Sequence, residues 1–281
     1  MLPNLLIIGA GKSGTTALHA YLALHPEIGM SERKELQFFT RTSWRDLVPW
    51  YSAQFQAAFP VRGEASPDYT MAPFLPCVAD RIQELIPDAK LIYMVREPIE
   101  RAIAHYVEYV ALRLEDRPIR AALADPDDPS NPYICASRYA SQLAPFVERF
   151  ESSQLLVLDQ LDLLHDRERT LQAVFRFVGV DPGFMAPGFR SSHNTADAKV
   201  RYGRLGTWLM KHQVLRAGRR RIPHDRKPLP RPLRALLATP IDTYLPQQAV
   251  SPLVQHLNPE VRRLRQMTGM RFADWRRFPA G

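Results

Sequence analysis

The sequence predicts an α/β fold of three layers, a central parallel sheet flanked by helices on both faces. Three stretches carry that expectation. Leu5–Ile8, Leu91–Val95 and Leu155–Leu158 are unbroken apolar runs of strand length, and each is followed by a helical stretch. Continuous apolar strands alternating with helices are the pattern of a parallel sheet covered on both faces. The chain has 281 residues, 46% of them hydrophobic, and no internal repeat. That is enough for one substantial core, so a single domain over residues 1–281 is expected.

The first element is the most informative. After Leu5–Ile8 come Gly9, Gly11 and Gly14 with Lys12 among them; Thr15 and Thr16 then open a helix running to about His25. A strand, a glycine-rich turn and a helix N-terminus bring backbone N–H groups, the positive helix end and one ammonium to a phosphate-sized space. Three kinds of loop use this arrangement. Gly9, Gly11 and Gly14 match G-x-G-x-x-G formally, with Glu32 as a ribose acid, which would make the chain an oxidoreductase. The kinase-type pattern G-x-x-x-x-G-K-[ST] fits Gly11, Lys12 and Ser13 but places its first glycine on Leu6, with Asp159 as the acid of a second strand. The third pattern, G-x-x-K-[SG]-G-T-[ST]-x-L, is satisfied by Gly9, Lys12, Ser13, Gly14, Thr15, Thr16 and Leu18. It is similar to the 5′-phosphosulfate loop of the sulfotransferase family.

The later elements extend this resemblance. Leu91–Val95 ends in Arg96, Glu97, Pro98 and Arg101, then a helix through Tyr106 and Tyr109. Pro98 suits a first helical turn, and Arg96 would stand at a strand's carboxyl end, where open α/β sheets bind ligands. The run resembles R-[DE]-P-x-x-R-x-x-S-x-Y, the family's 3′-phosphate motif, with Ala104 where the serine belongs. Lys34, Glu35, Phe38 and Phe39 resemble the K-E-x-x-F-F segment of heparan-sulfate-type and bacterial carbohydrate sulfotransferases. In that branch the glutamate is the catalytic base, a role that Glu35 inherits by resemblance; the two phenylalanines read as core. Gly63–Tyr69 resembles G-E-x-[ST]-P-x-Y, with Ala65 where many relatives place an acceptor-contacting lysine. Arg138–Phe146 and the stretch from Leu155 to Val180 resemble two further family segments, and the second removes Asp159 from a kinase role.

The motifs run in order over residues 4 to 181. The resemblance implies a P-loop-like fold with this core carrying the cofactor motifs. Residues 182–281 would supply a loop capping the cofactor, a basic segment and a closing helix. It implies a donor, 3′-phosphoadenosine 5′-phosphosulfate (PAPS), and a product, adenosine 3′,5′-bisphosphate, with no metal required. The implied cofactor ligands are Gly11, Lys12, Ser13, Gly14, Thr15, Thr16 and Arg96, with Lys199 and Arg201 from the capping loop. Lys12 and Glu35 carry the chemistry, with His105 as an alternative base or a packing residue. The acceptor is a hydroxyl or amine on a small molecule or glycan, a carbohydrate or glycolipid being expected. A non-catalytic nucleotide-binding descendant of the fold is the other reading.

Composition agrees. Net charge is +8, and arginine supplies 31 of the 37 cationic side chains. A basic surface suits an anionic cofactor. No nucleic-acid-binding motif is present. Cys77 and Cys135 are too few for a disulfide framework or a zinc site. With the first strand beginning near residue 5, neither a signal peptide nor an anchor is expected, which points to a cytoplasmic bacterial enzyme. Residues 113–133, rich in Pro and Asp, read as a lid over the site or a surface insertion. Residues 211–234, basic and broken by prolines, read as a solvated face or a contact for anionic membrane or polysaccharide. The oligomeric state stays open.

Overall fold

A computed structural model describes residues 1–190, 200–202 and 238–280. Its centre is a five-stranded parallel sheet ordered β2-β3-β1-β4-β5. The strands are β1 (Leu5–Gly9), β2 (Ile28–Met30), β3 (Val61–Ala65), β4 (Lys90–Val95) and β5 (Leu155–Asp159). β1 pairs with β3 on one side (Leu5 opposite Gly63) and with β4 on the other (Leu5 opposite Lys90). The chain leaves β1 towards β2 and leaves β4 towards β5, so connections diverge between these neighbours. That divergence is the switch point at which open α/β sheets bind ligands.

Side-chain alternation divides the core between the two faces. Leu6 and Ile8 of β1, with Leu91, Tyr93 and Val95 of β4, face one cluster; Leu5, Ile7, Ile92 and Met94 face the other. The second cluster is closed by Leu18, Tyr21 and Leu22 of α1 (Thr15–Leu22) and by Leu171, Val174 and Phe175 of a later helix (Arg167–Val178). The short α2 (Val48–Ser52) and α3 (Val78–Leu85) contribute Tyr51, Val78 and Ile82 to the first cluster. α4 (Pro98–Leu112), which follows β4, covers the same face. Glu97 caps it, its carboxylate accepting from the Glu100 N–H at 2.7 Å, and Pro98 fills the first helical position.

α1 ends at Leu22, short of the expected His25. Leu24 N–H and His25 N–H bond to carbonyls three residues back, at 3.1 and 3.0 Å, tightening the last turn. Pro26 follows and disfavours helical backbone at His25. The imidazole of His25 is buried, 4.6 Å from the rings of both Phe175 and Phe184.

Residues 113–133 are largely exposed but are anchored in the core at several points. They form α5 (Ile119–Ala122) and lead into α6 (Pro132–Cys135), and Ile119, Ala122, Leu123, Tyr133 and Ile134 are buried in the main core. Glu115 anchors the path, accepting from Arg117 at 2.7 Å and from the Tyr133 hydroxyl at 3.0 Å. Burial of apolar side chains in this Pro- and Asp-rich stretch was masked by its composition.

Beyond α7 (Tyr139–Val147), β5, α8 (Gln160–His165) and α9 (Arg167–Val178), a small antiparallel sheet joins β6 (Val200–Tyr202) to β7 (Ala238–Pro240). The closing helix α10 (Gln247–Thr268) buries Val250, Leu253, Leu257, Val261 and Leu264, an apolar stripe at helical spacing that packs on α7 and α4. Trp275 packs back on the body as expected. It is fully buried, stacked on Phe272 at 4.3 Å, and its indole N–H donates to Asp159 at 2.8 Å. No described helix is long and apolar enough to cross a membrane. Lys199 and the basic segment 211–234 lie outside the described residues; of Arg201 only the β6 backbone is described.

Candidate active site

The glycine-rich turn is shaped by close packing. A Cβ on Gly9 would lie 1.9 Å from the Thr70 hydroxyl and 2.9 Å from the Tyr93 ring, so only glycine fits. Lys12 and Gly14 take left-handed backbone, with φ of 71° and 92°. For Lys12 that conformation is uncommon and characteristic of constrained functional turns. Ser13 N–H bonds back to the Ala10 carbonyl at 3.2 Å, and Ala10 N–H bonds to the Met94 carbonyl at 2.7 Å, tying the turn to β4. Gly14 caps α1 without a side chain, and the first turn holds Thr15 and Thr16 but no acid. The amides at this helix start and the dipole behind them favour an anion.

Beneath the turn lies Arg101, 1% exposed. Its guanidinium donates to the Tyr133 carbonyl at 2.5 Å, to Ser137 Oγ at 2.7 Å and to the Gly11 carbonyl at 3.4 Å. A buried arginine needs such partners, and here they lock the turn to α4 and α6. Lys12, above, is ion-paired with Glu108 of α4. Sequence reasoning missed Glu108, which belongs to no motif. It could have weighted Arg101, the second arginine of the R-E-P-x-x-R run.

Arg96 stands at the end of β4, as expected. The Tyr139 hydroxyl donates to its carbonyl at 2.7 Å, and its guanidinium reaches Glu100 at 3.4 Å. Ala104, two turns along α4 from Arg96, is 8% exposed.

Glu35 lies on the loop after β2, at the carboxyl end of β3. Its φ is 60°, its N–H bonds to the Ala65 carbonyl at 2.9 Å, and Lys34 Nζ donates to its carboxylate at 2.5 Å. The loop is held by Glu64, a fully buried carboxylate that accepts from the hydroxyls of Tyr69 at 2.6 Å, Tyr51 at 2.7 Å and Ser66 at 2.6 Å. The Tyr69 and Ser66 oxygens in turn accept from the backbone N–H groups of Phe38 and Gln37, both at 3.1 Å. Phe38 and Phe39 are core, Phe38 stacking on Tyr51 at 3.8 Å. Ala65 is buried in the cluster on the α1 side.

Asp68, another residue that sequence reasoning did not single out, closes the group. Gln37 Nε2 donates to it at 2.7 Å. Its carboxyl is held above the ordinary value by desolvation and by the charge of Glu35, against the pull of Gln37, Lys34 and Lys12. Lys12 and Glu35, read from separate motifs, thus both bear on its charge, in opposite directions.

His105 is packed rather than presented. Its ring lies against Tyr109 and Tyr133 at 4.5 and 5.1 Å, and its Nδ1 faces the Arg101 guanidinium at 3.4 Å. Burial, Arg101 and Lys12 push its pKa down to about 2. Between that value and the ordinary 6.5, the unfolded chain binds a proton that the folded one does not. His105 therefore costs stability as pH falls through this window, up to about 1.4 kcal/mol per pH unit. Asp159, raised to about 6 by burial, works in the opposite direction. A difference measurement separates them: in urea unfolding from pH 6 to 4, the wild type is expected to lose more stability per pH unit than His105→Gln. Equal slopes would refute the assignment. Among the described residues no group of three or more His, Cys, Asp or Glu could hold a metal ion.

A family model described as Sulfotransferase domain matches residues 2–188. The chain belongs to the sulfotransferase family, a class of group-transfer enzymes. It is 28% identical over 201 residues to the bifunctional heparan sulfate N-deacetylase/N-sulfotransferase 2 of Bos taurus, covering 64% of this chain and 22% of that protein. It is 36% identical over 110 residues to the membrane-associated sulfotransferase kil1 of Dictyostelium discoideum, covering 37% and 22%. The chain thus matches 22% of the length of each of these relatives. Among solved structures, a sulfotransferase from Alicyclobacillus acidocaldarius superposes with a TM-score of 0.70 at 22% identity, covering 98% of this chain and 99% of that one. The shared fold is the three-layer, P-loop-like architecture expected from the sequence.

Proposed function

We propose that this chain transfers a sulfuryl group from 3′-phosphoadenosine 5′-phosphosulfate to a hydroxyl or amine acceptor, a small molecule or a glycan. The observation that carries the reading is the turn after β1, where Lys12 and Gly14 take left-handed backbone and lead into an acid-free first turn of α1. When bound, the donor supplies an activated sulfuryl group whose leaving group is a phosphate. Lys12 and the N–H groups of Ser13 to Thr16 would hold that phosphate and offset charge developing on it. Arg96 would hold the second phosphate by charge-assisted hydrogen bonds. Glu35 would accept the proton of the acceptor's hydroxyl or amine. The heparan-sulfate relatives support a carbohydrate acceptor within that class.

A thermal-shift series tests the donor. Adenosine 3′,5′-bisphosphate should stabilise the protein more than ATP, AMP or NADH, and should do so without magnesium. Equal or greater stabilisation by Mg-ATP would favour a kinase, and a preference for NADH an oxidoreductase.

A further inference from the structure

Two arginines from distant parts of the chain converge on one side chain of α4. Glu100 receives the Arg96 guanidinium at 3.4 Å and the Arg277 guanidinium at 2.8 Å. Arg277 also reaches Glu97 at 3.4 Å. Ala104, which replaces the expected serine, follows Glu100 by one turn on the same helix face. Arg277 and Glu100 also line an open surface depression with Ile103, Asp242, Tyr244 and Val250. We infer that Arg277 is a ligand for the second phosphate of the donor, acting beside Arg96 where the hydroxyl is missing. This rests on the donor reading above.

The surroundings favour such a role. Arg277 lies between two buried anchors, Trp275 and Phe278, and Arg265 donates to the Phe278 carbonyl at 2.5 Å. Its backbone is therefore fixed before any ligand arrives. The two carboxylates that neutralise it differ. The Glu97 side chain is 8% exposed and serves as the α4 cap, whereas that of Glu100 is 40% exposed. Glu100 can turn to solvent, leaving the Arg96 fork and the Arg277 fork, the latter still shared with Glu97, for an incoming dianion. Guanidinium pairs with phosphate through parallel N–H bonds in a geometry that lysine cannot copy.

The test compares adenosine 3′,5′-bisphosphate with 5′-AMP, which lacks the second phosphate, by isothermal titration of the full chain. Arg277→Ala should weaken the bisphosphate roughly 10- to 100-fold and leave 5′-AMP nearly unchanged. Arg96→Ala is the reference. If Arg96→Ala discriminates between the nucleotides and Arg277→Ala does not, Arg277 is no ligand while the donor reading stands. Equal loss for both nucleotides in Arg277→Ala would also overturn the inference, since that marks a structural role. If neither variant discriminates, the donor reading itself fails. Should Arg277→Ala not fold, Glu100→Gln decides. Removing the competing carboxylate should tighten the bisphosphate more than 5′-AMP, and an unchanged ratio would overturn the inference.

Discussion

Glu35→Gln is expected to lose turnover by roughly 10²- to 10⁴-fold while binding adenosine 3′,5′-bisphosphate as well as the wild type does. The substitution keeps the shape of the side chain and removes the proton acceptor. Glu35 carries negative charge near an anionic ligand site, so its neutralisation should not weaken the nucleotide and would tighten it slightly. Lys12→Ala is the contrast: Lys12 is assigned to the donor phosphate throughout the reaction, so nucleotide affinity and turnover should fall together. Titration and a labelled-sulfate transfer assay on both variants make the comparison. Full activity in Glu35→Gln would remove Glu35 as the base. His105 would not inherit the role, because a group with a pKa of about 2 is a poor base at neutral pH. Glu108, paired with Lys12, would be the carboxylate to test next.

Glu64→Ala is expected to destabilise the fold by several kcal/mol and to lower the melting temperature by roughly 10 °C. The carboxylate accepts three buried hydroxyls, and a buried hydroxyl left without its acceptor costs about 1–3 kcal/mol. Glu64→Gln retains one acceptor oxygen and should be milder. It should also separate two functions of the loop. Gln37 and Phe38 are held through Ser66 and Tyr69, so loosening that network should lower turnover more than bisphosphate affinity. An unchanged melting temperature in Glu64→Ala would sink this account. A parallel loss of affinity and turnover in Glu64→Gln would show that the network supports the whole sheet edge rather than the Glu35 loop.

The legible parts of the chain were those where chemistry and pattern coincide. β1, β4 and β5 are apolar runs, and the phosphate turn has glycines at fixed offsets. β2 is three residues long, and β3 reads Val-Arg-Gly-Glu-Ala, whose two polar residues alternate with small or apolar ones over too short a run to mark a buried strand. Glu64 in particular looks like a surface residue. Its burial depends on hydroxyls from three other positions, a condition met only after folding. Glu35 was singled out through its segment. Its left-handed backbone and its neighbour Asp68 were not, because loop conformation depends on what the loop leans against. Glu108 and Arg277 belong to no pattern at all. Glu108 reaches Lys12, and Arg277 reaches Glu100, because the core brings α4 and the segment after α10 to them.

The bond from Ala10 N–H to the Met94 carbonyl joins the turn after β1 to the strand that delivers Arg96. β1 and β4 are hydrogen-bonded neighbours, and paired strands keep a spacing of about 4.8 Å. The distance between the two proposed phosphate sites is thus a property of the peptide backbone, and the sheet acts as a ruler. Side-chain replacements at Lys12, Arg96 or Arg277 can change how tightly a nucleotide is gripped. They leave the graduation of the ruler untouched. Selecting a nucleotide with differently spaced phosphates would require a new strand register, which the alternating buried side chains of β1 and β4 oppose.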